Sequence, residues 1–161
     1  MAEKIIRYAG IGARASPSHI KEFMTKIGSY FGTKGLILRS GGAYGADIAF
    51  EIGCDIRKGT KEIYTVESDI PKEAFNIAKK FHPVWDELNE YTKRLHGINA
   101  MIILGPELST PVKLVVCYTC DGLFSGGTGI AMHIAKAYNI PIFNLRFENV
   151  RNQFEEKLKN G

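Results

Sequence analysis

The sequence of 161 residues lacks the features that mark secreted, disulfide-rich or membrane-spanning proteins. Only three cysteines occur, an odd number that does not suit a set of disulfide pairs, and the start Met-Ala-Glu-Lys does not resemble a signal peptide. No apolar stretch approaches the roughly 20 residues that a transmembrane helix needs. We therefore expect a cytoplasmic protein with free thiols and no membrane contact.

A large excess of one charge is also absent. The chain has 21 Lys and Arg against 17 Asp and Glu, a net charge of +4, which falls short of the strongly basic surface of dedicated DNA-binding proteins. A mildly positive chain nevertheless accepts a polyanionic ligand, so a nucleotide and a nucleic acid both remain candidates. The 45% hydrophobic content fits one globular domain over residues 1–161. Four scattered histidines predict no metal site, and no motif predicts a cofactor.

The most informative stretch runs from Leu114 to Ala137. Leu114 to Cys117 is continuously apolar, as expected of a parallel strand that is covered on both faces. A glycine-rich turn, Ser125 to Gly129, then opens a helical pattern, and its uncovered backbone N–H groups are suited to hold an anion. The simpler alternative is that these glycines only permit a tight turn and close helix packing.

Two further glycine-rich turns follow predicted strands. Gly10 to Arg14 follows a strand over Lys4 to Ala9, and Ser40 to Asp47 follows a strand over Leu36 to Arg39. Together the three turns supply the candidate phosphate- and ligand-binding residues Gly10, Gly12, Arg14, Ser40, Gly41, Gly42, Tyr44, Ser125, Gly126, Gly127, Thr128 and Gly129.

Strands and helices alternate along the rest of the chain. A first helix follows Ser16-Pro17, strands are predicted over Lys61 to Val66 and Ile140 to Leu145, and a long helix begins near Asp86. This alternation predicts a three-layer α/β sandwich with a mostly parallel sheet of about five strands. If the strand order is 3-2-1-4-5, the three glycine turns meet at one crevice, at the carboxyl ends of the strands.

The segments YAGIGAR, RSGGAYGADIAFE and SGGTGIAMHIAKAYNIPIF resemble the core of the DNA-processing protein A (Smf) family. That family lies within the SLOG superfamily, which also includes the "lonely guy" phosphoribohydrolases, and the resemblance spans roughly Ile6 to Leu145. It implies a Rossmann-like fold whose glycine turns bind the phosphates of single-stranded DNA or of a free nucleotide. It also implies self-association, and the helix that carries Val150 is a candidate interface.

The sequence departs from both families in ways that bear on function. About sixteen residues follow the last core strand, too few for the winged helix of a DNA-processing protein A. The phosphoribohydrolase motif PGGxGTxxE places His133 where its catalytic glutamate is expected. Cleavage of an N-glycosidic bond needs a carboxylate, so Asp47 and Asp121 are the remaining candidates. Asp47 has an alternative as a helix-dipole partner, and Asp121 as a turn residue.

Other candidate residues have structural alternatives too. Arg14 pairs either with a phosphate or with a surface carboxylate, and Tyr44 contacts either the ligand or its own turn. Asn99 and Arg94 lie on the long helix, where they either reach the ligand from above or, as the simpler interpretation, belong to a solvated face. The CxxC of Cys117 to Cys120 suggests redox or metal chemistry, but its first cysteine falls inside a predicted buried strand.

The leading functional prediction is binding of a nucleotide or nucleotide-derived ligand by its phosphates, with N-glycosidic hydrolysis as an extension. The alternative is a single-stranded DNA-binding protein without catalysis. A third interpretation is a regulatory or assembly module whose site is vestigial.

Overall fold

The computed structural model describes residues 4–161. Its strands are β1 (Arg7–Gly10), β2 (Ile37–Ser40), β3 (Lys61–Ile63), β4 (Leu114–Cys117) and β5 (Ile142–Asn144). Its α-helices are α1 (Ser18–Thr33), α2 (Ala46–Ile56), α3 (Lys72–Lys79), α4 (Glu90–Leu104), α5 (Gly126–Ala137) and α6 (Glu148–Asn160). A single 3-10 turn at Trp85–Glu87 precedes α4.

The sheet has the order β3-β2-β1-β4-β5, and each neighbouring pair is parallel. Tyr8 of β1 pairs with Leu38 of β2 on one side and with Leu114 of β4 on the other. The prediction of an α/β sandwich is therefore confirmed, and the strand order is the order 3-2-1-4-5 on which the single crevice depended. Because the order reverses between β1 and β4, the loops that follow these two strands diverge and leave a crevice at the carboxyl edge.

Helices cover both faces of this sheet, which explains why β4 is apolar without alternation. The helices α3, α4 and α5 enclose one buried cluster, and α1, α2 and α6 enclose the other. Val115 belongs to the first cluster and the adjacent Val116 to the second, and both are fully buried. The three-layer arrangement follows from this alternation of side chains between two cores.

Some boundaries differ from the sequence-based expectation. The strand expected over Lys61 to Val66 ends at Ile63. The long helix expected from Asp86 begins at Glu90, because the side chain of Asn89 caps it by accepting a hydrogen bond from the Thr92 amide. None of the helices in residues 4–161 combines the length and apolarity that a membrane crossing requires.

The helices α1 and α2 approach so closely that their backbones touch. A Cβ atom at Gly28 would lie 2.6 Å from the carbonyl oxygen of Phe50, and one at Gly53 would overlap the carbonyl oxygen of Thr25. The Thr25 hydroxyl also donates to the Ala49 carbonyl oxygen at 2.9 Å. Glycine is therefore needed at the crossing for space, since both clashing atoms belong to backbone that cannot rotate away.

Substitution of Gly53 tests this packing. Gly53→Ala is expected to lower the free energy of unfolding by about 2–3 kcal/mol, because overpacking at a backbone contact forces the helices apart. Urea denaturation measures the loss. Gly127→Ala is the matched control: it also lies in a helix, no atom lies within 4 Å of the added methyl group, and no loss is expected. Equal urea midpoints for Gly53→Ala and the parent chain would contradict the close contact.

Candidate functional site

A cleft of about 910 Å³ lies at the carboxyl edge of the sheet. It is bordered by the glycine turns after β1 and β2, by the segment between β4 and α5, by the segment after β3 and by one face of α4. The predicted site residues that line it are Gly12, Arg14, Gly41, Gly42, Asp47, Asp121, Ser125, Gly126, Gly127 and Thr128. The fold thus brings all three turns together.

Four predicted site residues lie outside the lining, and three of them serve the fold. A Cβ atom at Gly10 would lie 2.6 Å from the Phe50 ring, and one at Gly129 would lie 2.6 Å from the Phe124 carbonyl carbon. Ser40 is fully buried and its hydroxyl donates to the Gly10 carbonyl oxygen at 2.6 Å. Gly10, Ser40 and Gly129 thus each have a structural contact that accounts for the residue, and their ligand contacts stay a prediction.

Tyr44 is the fourth residue outside the lining. Its side chain is 70% exposed, so it does not pack over its own turn, and the Nζ atom of Lys21 lies 5.6 Å from the centre of its ring. The ring therefore stands on the outer surface beside the cleft.

The turn after β1 continues the ladder between β1 and β4. The Ile11 amide donates to the Val116 carbonyl oxygen at 3.1 Å, and the Ala13 amide donates to that of Tyr118 at 3.0 Å. A Cβ atom at Gly12 would lie 2.8 Å from the Cβ of Ala46, so glycine is needed there for close approach. This ladder holds the turn rigidly at the mouth of the cleft.

A buried carboxylate organises the turn after β2. One oxygen of Asp47, Oδ2, accepts hydrogen bonds from the amides of Gly41 at 3.2 Å and Ala43 at 3.3 Å. Gly45 has a φ of +96°, and its Cα faces the backbone of Arg14 so closely that an added Cβ would lie 2.5 Å from the Arg14 carbonyl oxygen. The first and second turns are thereby packed against each other.

Burial raises the pKa of Asp47 to about 6, and this effect outweighs the hydrogen bonds from Ala43 and Gly41 and the nearby charge of Arg14, which lower it. Asp47 also lies in the first turn of α2, where a negative charge favours the helix dipole. Asp47 therefore has the position of a helix-dipole partner, which was its structural alternative, and it also lines the cleft.

The start of α5 differs from the other two turns because its backbone is open. Within residues 4–161 the amides of Gly126, Gly127 and Thr128 donate to no protein atom. No atom lies within 4 Å of a Cβ placed at Gly126 or Gly127. The Asn99 side chain donates to the Gly127 carbonyl oxygen at 3.0 Å and so fixes this turn against α4. Three N–H groups at the positive end of a helix dipole thus border the cleft.

Asp121 closes the turn that precedes α5. Its Oδ1 accepts hydrogen bonds from the Leu123 amide at 3.0 Å and from the Ser125 hydroxyl at 2.8 Å. The bond from the Leu123 amide, followed by that from Ser125, holds the pKa of this exposed carboxyl below its usual range. The side chain is therefore negatively charged at neutral pH, and the Ser125 hydroxyl is already engaged with it.

Arg14 lies exposed at the lip of the cleft and makes no ion pair with any residue in the described part of the chain. The surface salt bridge considered as an alternative is therefore not formed. Its guanidinium group is free to meet an anion in the cleft.

Most of the lining from the segment after β3 and from α4 was not recognised from the sequence. It consists of Tyr64, Thr65 and Val66 after β3 and of Tyr91, Leu95, Ile98, Asn99 and Ile102 on α4. The spacing of the α4 residues does predict one helix face, but not that this face borders a cleft. Asn99 borders the cleft and bonds to the Gly127 carbonyl oxygen. Arg94 donates to the carbonyl oxygens of Val66 at 2.8 Å and Ser68 at 2.9 Å, and these two bonds tie the loop after β3 to α4.

The cysteines are free thiols with different environments. Cys117 is buried and its pKa is raised to about 12 by that burial, whereas Cys120 is exposed and lines the cleft. No group of three or more potential metal ligands comes together in residues 4–161.

No protein-family model matches the sequence. No curated protein matches it significantly either. Among solved structures, the chain is similar to DNA-processing protein A from Helicobacter pylori, with a TM-score of 0.60 and 16% identity over 96% of this chain and 77% of that one. It is also similar to DNA-processing protein A from Streptococcus pneumoniae, with a TM-score of 0.54 and 14% identity over 95% of this chain and 56% of that one.

The chain has the Rossmann-like fold of DNA-processing protein A. The prediction made from the three glycine-rich segments is thus confirmed for the fold. The Helicobacter pylori structure is described for its single-stranded DNA binding mode. The chain spans about half the length of the Streptococcus pneumoniae protein.

The raised pKa of Asp47 predicts a pH dependence of stability. Because the folded-state pKa of about 6 exceeds the usual aspartate value of 3.8, the folded protein binds this proton more tightly than the unfolded chain does. The resulting stabilisation is present below pH 4 and is lost as the pH rises to about 6. Asp47→Asn removes the titration, and its amide oxygen can still accept both backbone hydrogen bonds.

Urea denaturation of the parent and Asp47→Asn between pH 4 and pH 7 measures this effect. The parent is expected to lose about 2–3 kcal/mol relative to the variant over that range. Asp121→Asn is the control, since Asp121 is exposed and its pKa is shifted in the opposite direction. If the free energies of unfolding of the parent and Asp47→Asn differ by the same amount at every pH from 4 to 7, Asp47 does not have the raised pKa of a buried carboxyl group.

Proposed function

We propose that the chain binds single-stranded DNA and holds one nucleotide of the strand in the cleft. The observation that supports this most directly is the set of three unpaired amides at Gly126, Gly127 and Thr128, which border the cleft with the unpaired Arg14. The fold shared with DNA-processing protein A raises the expectation of a nucleic-acid ligand, and the site chemistry independently supports the binding of a phosphate group.

The amides at the start of α5 suit a phosphate. They combine hydrogen-bond donors with the positive end of a helix of 12 residues. Gly126 and Gly127 have no side chains to shield the backbone, so a phosphate oxygen can approach the N–H groups directly. Arg14 adds a guanidinium group, whose planar pair of donors matches the geometry of a phosphate.

The lining from the segment after β3 and from α4 suits a sugar and base. Tyr91 is 56% exposed and offers an aromatic ring, and Tyr64, Leu95 and Ile98 add apolar lining. Aromatic side chains bind the bases of single strands by stacking, which depends little on sequence because every base offers a flat face. The cleft therefore provides separate surfaces for the charged and apolar parts of one nucleotide.

A free nucleotide is the second candidate, and the charge of the cleft favours it. Arg14 is the one Lys or Arg among the lining residues, and Asp47 and Asp121 are carboxylates. Such a balance accommodates one phosphate better than a long polyanion, whose binding usually depends on several cations.

N-glycosidic hydrolysis stays a prediction. Asp121 has its Oδ1 occupied by two hydrogen bonds, and Asp47 uses Oδ2 to hold the turn after β2. The homo-oligomer also stays a prediction. On the helix suggested as an interface, Phe154 is buried against the chain itself and Val150 packs on the same cluster. The cytoplasmic location inferred from the cysteines is likewise untested.

Gly127→Asp tests the proposed phosphate contact. A carboxylate in the first turn of α5 favours the helix dipole, so the fold is retained, but it repels a phosphate at the free amides. Affinity for a fluorescent oligothymidylate is expected to fall about 10-fold. Gly127→Asn is the matched neutral variant: it adds a side chain of the same size without the negative charge, so it is expected to weaken binding clearly less than Gly127→Asp does. Fluorescence anisotropy across a salt series measures both, and parent affinity should fall as salt rises.

Competition with thymidine monophosphate separates the two candidates. If the oligonucleotide binds much more tightly than the monophosphate, the DNA proposal stands. If the two bind equally and salt has little effect, the free nucleotide is the ligand class. Absence of binding by either would contradict the assignment of the cleft as a phosphate site.

A further inference from the structure

An exposed aromatic ring stands just outside the cleft. Tyr44 is 70% exposed and does not line the cleft, and the Nζ of Lys21 from α1 lies 5.6 Å from its ring centre. Lys21 makes no ion pair with any residue in the described range. A large exposed ring beside an unpaired cation is a surface to which a flat, negatively charged partner fits.

The turn that carries Tyr44 is held in place on both sides. Gly42 and Gly45 adopt φ values of +69° and +96°, and the Ala43 amide between them donates to buried Asp47. A side chain presented on such a fixed turn loses little conformational entropy when it binds a partner. The turn therefore holds the Tyr44 ring in position before a partner binds.

The same turn connects Tyr44 to the cleft. Gly45, the next residue, packs directly on the backbone of Arg14, and Arg14 lines the lip. Tyr44 is therefore adjacent in sequence to a residue that contacts the Arg14 backbone, and Lys21 of α1 lies beside its ring. A strand that left the cleft past Arg14 would meet the turn that carries Tyr44.

We propose that Tyr44 and Lys21 form a second nucleotide subsite outside the cleft. A base of the strand next to the nucleotide in the cleft stacks on the Tyr44 ring, and its phosphate lies beside Lys21. This inference rests on the proposed binding of single-stranded DNA. A mononucleotide held in the cleft does not reach the subsite, so the subsite favours a strand over a free nucleotide.

Substitutions at the subsite test this directly. Tyr44→Ala is expected to weaken binding of an oligothymidylate of about twelve nucleotides by about 5-fold or more, the effect of losing one stacked base. Tyr44→Phe keeps the ring and is expected to match the parent. Lys21→Gln is expected to reduce the slope of log affinity against log salt by about 0.7, because one phosphate contact is lost. Anisotropy titrations over a salt series measure all three.

Tyr138→Ala is the matched control, since Tyr138 is an exposed tyrosine at the opposite end of α5 from the cleft. The inference is overturned if Tyr44→Ala binds the oligonucleotide as well as Tyr138→Ala does. It is also overturned if Tyr44→Ala weakens thymidine monophosphate binding equally, which would mean that the residue acts by shaping the turn.

The two proposals fail in distinguishable ways. If the parent binds the oligonucleotide and Gly127→Asp weakens it while Tyr44→Ala has no effect, the cleft proposal stands and the second subsite is wrong. If the parent binds no oligonucleotide, the proposed function fails and the subsite fails with it.

Discussion

The candidate site depends on one buried carboxylate. Asp47 Oδ2 accepts hydrogen bonds from the amides of Gly41 and Ala43. Without these hydrogen bonds the turn after β2 would carry unpaired donors at the edge of the core. Burial of the charge is unfavourable by itself, as the raised pKa indicates, and the hydrogen bonds offset part of it. Because Gly45 of the same turn packs on Arg14, this carboxylate also positions the lip of the cleft.

A parallel sheet covered on both faces was predictable from the sequence because it follows from local patterns, whereas the convergence of the turns at one crevice rested on an assumed strand order that the structure confirms. Leu114 to Cys117 has no alternation, so it had to be covered on both faces, and a parallel sheet places the turns after its strands at one edge. The wall formed by α4 was not predictable. Tyr91 and Leu95 show only that the helix has an apolar face, whereas the surface that this face meets is set by tertiary packing.

The sequence also could not distinguish between glycines that serve different physical needs. Gly10 and Gly129 leave room for neighbouring atoms, and Gly45 adopts a φ that other residues rarely reach. All of them stand in similar glycine-rich segments. Ser40 gives the same lesson, since its hydroxyl satisfies a carbonyl of the adjacent strand. Only the surroundings of each residue reveal its role.

Among the glycines of the three turns, Gly127 alone is explained neither by packing nor by backbone conformation. Its Cβ position is open, no positive φ is needed, and it lies in the first turn of a helix, where glycine is less favourable than alanine by up to about 1 kcal/mol. A side chain would fit the fold, but it would cover the amides that border the cleft. The absence of a side chain at this position agrees with the proposed phosphate contact, in which an anion would approach the backbone itself at the positive end of the helix dipole.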